Sequence, residues 1–308
     1  PWGRPDMATF IFTKNILEDK TIQIFNYGKM ERDFTYIDDI VQGILGALKK
    51  NISNHKVYNL GNSNPEVLLE FVELIEKTLN KKGFSTAVGD EGGLAPGIDS
   101  AEEALDLISS SIQEAGYEVD KDVTFALDCA ATELLKNKKY VFSNKEKFSS
   151  DELIEYLSNL VDKYPITSVE DGLDENDWIG WESLTKKLGK KTQLVGDDLF
   201  VTNKDILQEG IDRNIANSVL VKINQIGTIS ETFETICLAY QHNYKCVISH
   251  RSGETEDNFI ADLAVGTGAG QIKTGAPSRS DRTSKYNRLL MIDAMEGLEF
   301  LGRQELIN

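Results

Sequence analysis

The feature that most constrains this chain is a series of short apolar runs that each end on a polar residue. Between residues 125 and 275, these runs end at Asp128, Glu170, Asp197, Lys222, His250 and Lys273. Successive end residues are 42, 27, 25, 28 and 23 positions apart. Each interval is about the length of one strand, one helix and two turns. The series therefore predicts an α/β fold, a (β/α) barrel of the TIM type with its active site at the carboxyl ends of the strands.

The number of strands in this series is smaller than a closed barrel needs. A closed (β/α) barrel of this type has eight strands, whereas the sequence provides about six. We therefore expect an incomplete barrel with two open strand edges and a partly exposed core. Amphipathic patterns predict helices at 100–115 and 150–163, the second capped by Ser149 or Ser150, and further helices between the later strands.

An uneven distribution of charge divides the chain into two segments. Residues 1–82 carry 11 Lys and Arg against 11 Asp and Glu, whereas residues 83–308 carry 22 against 39 and account for the whole net charge of −17. We predict domains at 1–82 and 83–308. The negative charge makes nucleic acid and acidic membranes poor partners.

The cysteines and the apolar runs bear on the location of the protein. Its three cysteines lie in apolar stretches without metal-ligand spacing, which predicts buried thiols in a reduced, cytoplasmic protein. No run of 18 apolar residues exists, so we expect no membrane-spanning segment. No signal peptide is visible, and because residue 1 is a proline we expect the natural start to be missing.

Three of the strand-end residues are carboxylates, namely Asp128, Glu170 and Asp197. In a barrel they would meet at one mouth, where their mutual repulsion requires a cation. Oxygen ligands without histidine or cysteine suit Mg²⁺. Any one of these acids can instead cap the following helix, but three in register favour a metal site.

Lys222 ends the strand that follows the third carboxylate. A lysine beside a bound Mg²⁺ can release its proton and act as a general base. The alternative is an ion pair between Lys222 and one of the three acids.

Further strand-end and loop residues can bind an anion or move a proton. Arg251, Ser252 and Lys273 can hold a phosphate or a carboxylate, with surface charges and a helix cap as the alternative. The sequence leaves three roles for His250: a ligand, a hydrogen-bond donor, or a buried structural histidine. Glu91 lies in the glycine-rich loop at 89–93, where it is either an acid that reaches over the mouth or a solvated loop residue.

These residues together indicate one class of reaction. A metal ion holds a substrate carboxylate, a lysine removes the proton from the adjacent carbon, a glutamate protonates the departing hydroxyl, and cationic groups bind a phosphate. A lysine or histidine base combined with Mg²⁺ is the known pattern of enolase-superfamily sites.

Seven motifs carry a resemblance to one family. They are VGDEGG at 88–93, LDCAA at 127–131, VEDGL at 169–173, VGDDL at 195–199, KINQIG at 222–227, SHRSGET at 249–255 and QIKTG at 271–275. Through them, residues 83–303 resemble the C-terminal part of the enolases, the phosphopyruvate hydratases of glycolysis. The resemblance implies a cytoplasmic, homo-oligomeric, Mg²⁺-dependent enzyme that acts on 2-phosphoglycerate.

The same resemblance implies a role for each site residue. Glu91 would be the proton donor and Lys222 the proton acceptor. Asp128, Glu170 and Asp197 would bind Mg²⁺. Substrate would contact His250, Arg251, Ser252 and Lys273.

The first segment resembles a different family. The motifs PWGRPDM at 1–7, FNYGKM at 25–30, RDFTYIDD at 32–39 and VYNLGN at 57–62 are similar to the C-terminal part of nucleotide-sugar 4-epimerases, which are extended short-chain dehydrogenases. Neither a glycine-rich dinucleotide loop nor a Tyr-xxx-Lys pair is present, so we predict no cofactor site and no epimerase activity. Arg32 matches a family position near the phosphates, or is a solvated or salt-bridged arginine. We also predict a helix that begins at Pro65.

Together the two resemblances indicate a composite chain, either a gene fusion or an artefact of sequence assembly. Compared with the enolases, the N-terminal domain and the first two barrel strands are missing. We therefore expect impaired enolase activity, with a catalytically inactive composite as the alternative and a nucleotide-sugar epimerase as the less favoured one.

Overall fold

The computed structural model describes residues 31–32, 66–67, 89, 91–93, 95, 97–98, 100–114, 116–142, 146–277 and 279–306. The chain forms two compact units. One comprises Pro1–Gly89 with Gly93–Gly97, and the other comprises Asp90–Gly92 with Ile98–Asn308. The domain boundary between residues 82 and 83 stays a prediction.

The first unit contains one described strand pair, in which β1 (Glu31–Arg32) runs antiparallel to β2 (Glu66–Val67). The prediction of a helix that begins at Pro65 is therefore wrong at residues 66 and 67, which form a strand. The fixed φ of proline suits an extended chain as well as a first helical turn, and the β-branched Val67 favours a strand. The other helices and strands expected in residues 1–82 lie outside the described residues.

Six parallel strands form the main sheet of the second unit. They are β3 (Phe125–Asp128), β7 (Ile166–Glu170), β8 (Gln193–Gly196), β9 (Ser218–Val221), β10 (Lys245–Ser249) and β11 (Ile272–Lys273). Each strand pairs with the next one in chain order. This topology confirms the predicted α/β fold with an incomplete TIM-type barrel. Among the described residues, β3 and β11 are the edges and do not pair with each other.

The sheet curls, as a contact on its inner face demonstrates. Gln193 of β8 and Gln271, next to β11, exchange two amide hydrogen bonds of 2.9 and 2.8 Å. Three strand spacings separate these positions by roughly 14 Å in a flat sheet. Two glutamine side chains can meet only if the intervening strands curve toward the barrel interior.

Nine α-helices are described in the second unit, and a short 3-10 helix follows them at Gly302–Glu305. They are α1 (Ala101–Glu114), α2 (Ala131–Leu134), α3 (Ser150–Lys163), α4 (Trp178–Leu188), α5 (Lys204–Asp212), α6 (Ile223–Ile226), α7 (Ile229–Gln241), α8 (Phe259–Gly266) and α9 (Ser280–Glu296). Local sequence sets their ends. Ser149, one of the two predicted caps, begins α3 and forms a capping box with Glu152, and the helix ends before Pro165.

A small antiparallel sheet interrupts the series between β3 and β7. It consists of β4 (Leu135–Lys136), β5 (Lys139–Val141) and β6 (Lys147–Phe148). Its buried Tyr140 accepts a hydrogen bond of 3.0 Å from the backbone N–H of Asp174. This contact connects the small sheet to the loop that follows β7.

The core lies mainly between the strands and the helices. Val169, Leu194, Val219 and Ile248 pack there with the fully buried Trp181 and other helix residues. Val195, Leu220 and Val247 form a separate cluster, because alternate residues of a strand face opposite sides of the sheet. No helix among the described residues is long and apolar enough to cross a membrane.

We expect only one of the three cysteines to react rapidly with a thiol reagent in the folded protein. Cys237 on α7 is exposed and Cys129 is only partly buried, so the prediction of three buried thiols is wrong for Cys237 and holds fully for Cys246 alone. Burial raises the pKa of Cys129 and of Cys246 to about 12, which removes the reactive thiolate at neutral pH. Titration with Ellman's reagent should show one fast thiol that Cys237→Ser abolishes. Two or three fast thiols would contradict this packing.

Candidate active site

The curled sheet brings together charged residues from its two opposite edges. Nζ of Lys273, on β11, lies 2.6 Å from Oδ2 of Asp128 on β3 and 2.7 Å from Oε1 of Glu170 on β7. In a flat sheet β3 and β11 would be roughly 24 Å apart. The predicted metal ligands Asp128 and Glu170 therefore lie at one mouth, together with the predicted substrate-binding Lys273.

The third predicted ligand, Asp197, contacts the predicted base. Nζ of Lys222 donates to Oδ2 of Asp197, and Nε2 of Gln225 donates to Oδ1 over 3.0 Å. A hydrogen bond of 2.9 Å from the backbone N–H of Lys222 to Oγ1 of Thr202 fixes the end of β9. The structure thus contains the ion pair that the sequence left open for Lys222.

Buried acids crowd the same mouth. Burial, followed by the charge of Asp128, raises the pKa of Glu170 to about 8 even though Lys273 opposes the shift. Burial likewise raises the pKa of Asp171 to about 7, although the hydrogen bonds that Asp171 accepts from backbone N–H groups lower it. Carboxylates that are held together against their repulsion are a suitable site for a cation.

Two sets of acids overlap at Asp197. Oxygen atoms of Asp171, Asp197 and Asp198 lie within 4.8 Å of one another and can hold a metal ion, whereas the sequence predicted Asp197 together with Asp128 and Glu170. Both carboxylate oxygens of Asp171 already accept backbone N–H groups, from Asp197 and Asp198, each over 2.9 Å. We therefore regard Asp171 as the residue that orients Asp197 and favour the predicted ligand set.

Glu91 lies beside His250. Oε1 of Glu91 is 3.4 Å from Nε2 of His250, and its backbone carbonyl accepts a 3.0 Å hydrogen bond from the N–H of Ala276. Gly275 has a φ of 76°, and a Cβ at this position would approach the carbonyl oxygen of Glu91 to 2.7 Å. Only glycine therefore allows the segment that carries Glu91 to pack here.

The carboxyl group of Glu91 is more acidic than that of an ordinary glutamate. The contact with His250 is the main cause that lowers its pKa to about 2, and the positive charges of Lys273 and Arg282 add to the effect. Burial acts in the opposite direction. Glu91 is therefore ionised at neutral pH.

The predicted anion-binding residues follow β10. Nη1 of Arg251 donates to Oδ1 of Asn224 over 3.1 Å, and its backbone N–H donates to Oε2 of Glu254 over 3.1 Å. Ser252 is exposed. The backbone carbonyls of both residues accept hydrogen bonds from the buried Arg282 of α9.

Sequence reasoning missed Arg282 and the orienting role of Asp171. Asp171 was recognisable as the second acid of VEDGL, but the sequence does not reveal that its oxygens are occupied by backbone N–H groups. Arg282 belongs to a polar helix start, SDRT at 280–283, and nothing there distinguishes a fully buried cation from a solvated one.

Comparisons with known proteins show which families the chain resembles. A family model described as the C-terminal TIM barrel domain of enolase matches residues 66–305, and a model of the NAD-dependent epimerase/dehydratase family matches residues 1–61. Curated proteins named enolase from Legionella pneumophila strains Paris and Philadelphia 1 are each 57% identical over 238 residues, and that from strain Corby is 56% identical over 238 residues.

Each of these alignments covers 77% of this chain and 56% of the relative. The chain thus spans about half the length of the curated relatives it matches. The two family matches confirm the predicted composite of an epimerase-type segment and an enolase-type barrel. Because its barrel segment matches the enolase family model and the curated enolases, the chain belongs to the enolase family.

Proposed function

We propose that this chain is an enolase-type lyase that dehydrates 2-phosphoglycerate to phosphoenolpyruvate, the glycolytic reaction, with Mg²⁺ in the cytoplasm. The proposal includes a homo-oligomer, as the family resemblance implies. The observation that carries it is the meeting of three strand-end carboxylates and two lysines at one mouth of the curled sheet. The 57% sequence identity to a protein named enolase supports the same reaction.

The acidic residues fit a divalent cation. Asp128, Glu170 and Asp197 offer only oxygen ligands, and burial with the charge of Asp128 raises the pKa of Glu170. Such a set suits Mg²⁺ better than a softer metal. When bound, Mg²⁺ would stabilise the negative charge that develops on the substrate carboxylate.

Lys222 and Glu91 would move the two protons of the reaction. Nζ of Lys222 must first release its own proton, since it donates to Asp197 in this structure. The neutral amine then accepts the proton from the carbon next to the substrate carboxylate, and the electron pair of that C–H bond forms the new C=C bond. The C–O bond to the hydroxyl group breaks, and Glu91 supplies the proton that makes the leaving group water.

These roles require a change of protonation at Glu91. The contact with His250 keeps its pKa near 2, so the carboxyl group must first gain a proton. A bound anion raises the pKa of a neighbouring carboxyl group, because like charges disfavour its ionised form. The negative charge of 2-phosphoglycerate would therefore promote the acid form.

Four residues would bind the substrate. Arg251 and Lys273 offer positive charge for the phosphate and the carboxylate, and Ser252 and His250 offer hydrogen-bond donors. The Lys273 that now bridges Asp128 and Glu170 would turn partly toward the substrate once a cation balances those acids.

A catalytically inactive composite is the second candidate, and the open barrel favours it. The sheet ends at β3 and β11, and these edges are not joined by further described strands. An epimerase is less favoured, because the match of that family ends at residue 61.

Turnover of the whole chain separates these candidates. Purified protein with 2-phosphoglycerate and Mg²⁺ should produce phosphoenolpyruvate, followed by its absorbance, and should exchange the carbon-bound proton of the substrate with deuterated solvent. A sample treated with EDTA should do neither. The absence of both signals in the presence of Mg²⁺ would reject the enzyme and favour the inactive composite.

A further inference from the structure

We propose that Arg282 is a positioning residue of this site. It holds His250 in the tautomer that carries its proton on Nε2, and it fixes the backbone of Arg251 and Ser252 beneath the proposed anion site. The functional part of this inference rests on the proposed substrate-binding role of these three residues. The structural part rests on contacts alone.

The guanidinium group of Arg282 lies under the loop that follows β10. Its Nη1 is 2.6 Å from Nδ1 of His250 and 2.7 Å from the carbonyl oxygen of Arg251, and its Nη2 is 2.8 Å from the carbonyl oxygen of Ser252. Nε lies 3.1 Å from Oδ2 of Asp281. Arg282 is fully buried, so its guanidinium group is held by the hydrogen bonds of Nη1 and Nη2 and by the ion pair with Asp281.

The contact with His250 determines where the imidazole proton lies. A guanidinium group is always a donor and has no acceptor. Nδ1 of His250 must therefore accept, which leaves the proton of the neutral ring on Nε2. A proton on Nδ1 would oppose the N–H of Arg282 at 2.6 Å.

The nitrogen that carries the proton faces the candidate site. Nε2 of His250 lies 3.4 Å from Oε1 of Glu91, and it has no hydrogen-bond partner among the residues that the structure describes. His250 is only 2% exposed. A buried donor whose nearest acceptor, Oε1 of Glu91, is 3.4 Å away is only weakly satisfied, which is costly. An oxygen atom of a ligand that enters beside Glu91 would give Nε2 a closer acceptor.

Arginine suits this position better than lysine. A planar guanidinium can contact the ring nitrogen and two carbonyls at once, whereas an ammonium group is a compact charge on a flexible stem. The packing also depends on Gly275, because a Cβ there would approach Cδ of Arg282 to 2.9 Å and Cε1 of His250 to 3.0 Å.

Nuclear magnetic resonance of the whole chain labelled with ¹⁵N-histidine tests the tautomer. The chain has three histidines, and the spectrum of His250→Gln assigns the signals of His250. At mildly alkaline pH we expect Nε2 to give the resonance of a protonated nitrogen and Nδ1 that of an unprotonated one. In Arg282→Met, which has no donor, both resonances should move toward the positions of a tautomer mixture.

Lys285→Met is the matched control. Lys285 is another fully buried cation of α9, but its Nζ contacts the carbonyls of Thr255 and Asp281 and lies 3.6 Å from Oε1 of Glu254, and it does not contact His250. Its loss should leave the His250 resonances unchanged. Equal changes in both variants would assign the effect to general destabilisation and overturn the proposal.

Two further outcomes would overturn it. They are a protonated Nδ1 or a mixture in the unsubstituted protein, and an unchanged tautomer in folded Arg282→Met. If Arg282→Met does not fold, the spectrum of the unsubstituted protein decides alone. The measurement needs no turnover, so a failure of the 2-phosphoglycerate assay leaves this test intact.

Discussion

Lys222→Ala is expected to lower the rate of 2-phosphoglycerate dehydration by about 10²- to 10⁴-fold, the usual contribution of a general base. Lys222 directly follows β9 at the mouth, and its ammonium group contacts Asp197. No other lysine of the described residues combines a strand-end position with this carboxylate. The exchange of the carbon-bound proton should fall by the same factor, since both measurements require the same proton to leave.

The loss of a base must be separated from the loss of an ion pair. Alanine leaves Asp197 without its lysine, so the rates should be compared at saturating Mg²⁺ and the fold checked by circular dichroism. Lys204→Ala is the matched control. Lys204 also forms an ion pair, 2.7 Å from Glu234, but this pair is half exposed and lies on α5. Equal rates for Lys222→Ala and the unsubstituted protein would exclude Lys222 as the base.

The parts of this protein that depend on local sequence were predictable. The apolar runs of β7 to β10 form strands that are buried on both faces, whereas the edge strands β3 and β11 are partly exposed. In each case the end of the run marks the carboxyl end of the strand. Chain order then gives the order of the strands, since parallel βα units are usually added side by side. Asp128, Glu170, Asp197, Lys222 and Lys273 could therefore be assigned to one mouth before the fold was known.

The remaining features depend on contacts between distant parts of the chain. How far the sheet curls decides that Lys273 meets Asp128, and this curvature is set by packing rather than by any motif. The same holds for Arg282, whose burial results from how α9 packs on the loop after β10. The strand at Glu66–Val67 likewise depends on its partner at Glu31–Arg32, which overrides the local helix signal.

Above the raised pKa of Glu170, which is about 8, both acids beside Lys273 are ionised. Under these conditions and without a divalent cation, Lys273→Met is expected to lower the free energy of unfolding by about 3 kcal/mol, the lower end of the cost of breaking a buried ion pair. Lys273 bridges Asp128 and Glu170 at 2.6 and 2.7 Å, and the side chain of Glu170 is only 9% exposed. Asp128 is 44% exposed, which moderates the effect because water can screen its charge. Chemical denaturation in the presence of EDTA measures the difference.

Mg²⁺ should restore much of this loss, and that recovery connects the stability of the fold to the proposed function. A ligand stabilises the folded state in proportion to its preference for that state, and two acids that have lost their lysine attract a cation more strongly. The rise in melting temperature on adding Mg²⁺ should therefore be larger in Lys273→Met than in the unsubstituted protein. Lys245→Met is the control, because Lys245 of the neighbouring β10 is similarly buried but contacts Glu305 at 3.6 Å, away from the three acids. A variant that is destabilised by the loss of Lys273 but insensitive to Mg²⁺ would show that Asp128 and Glu170 do not form a metal site.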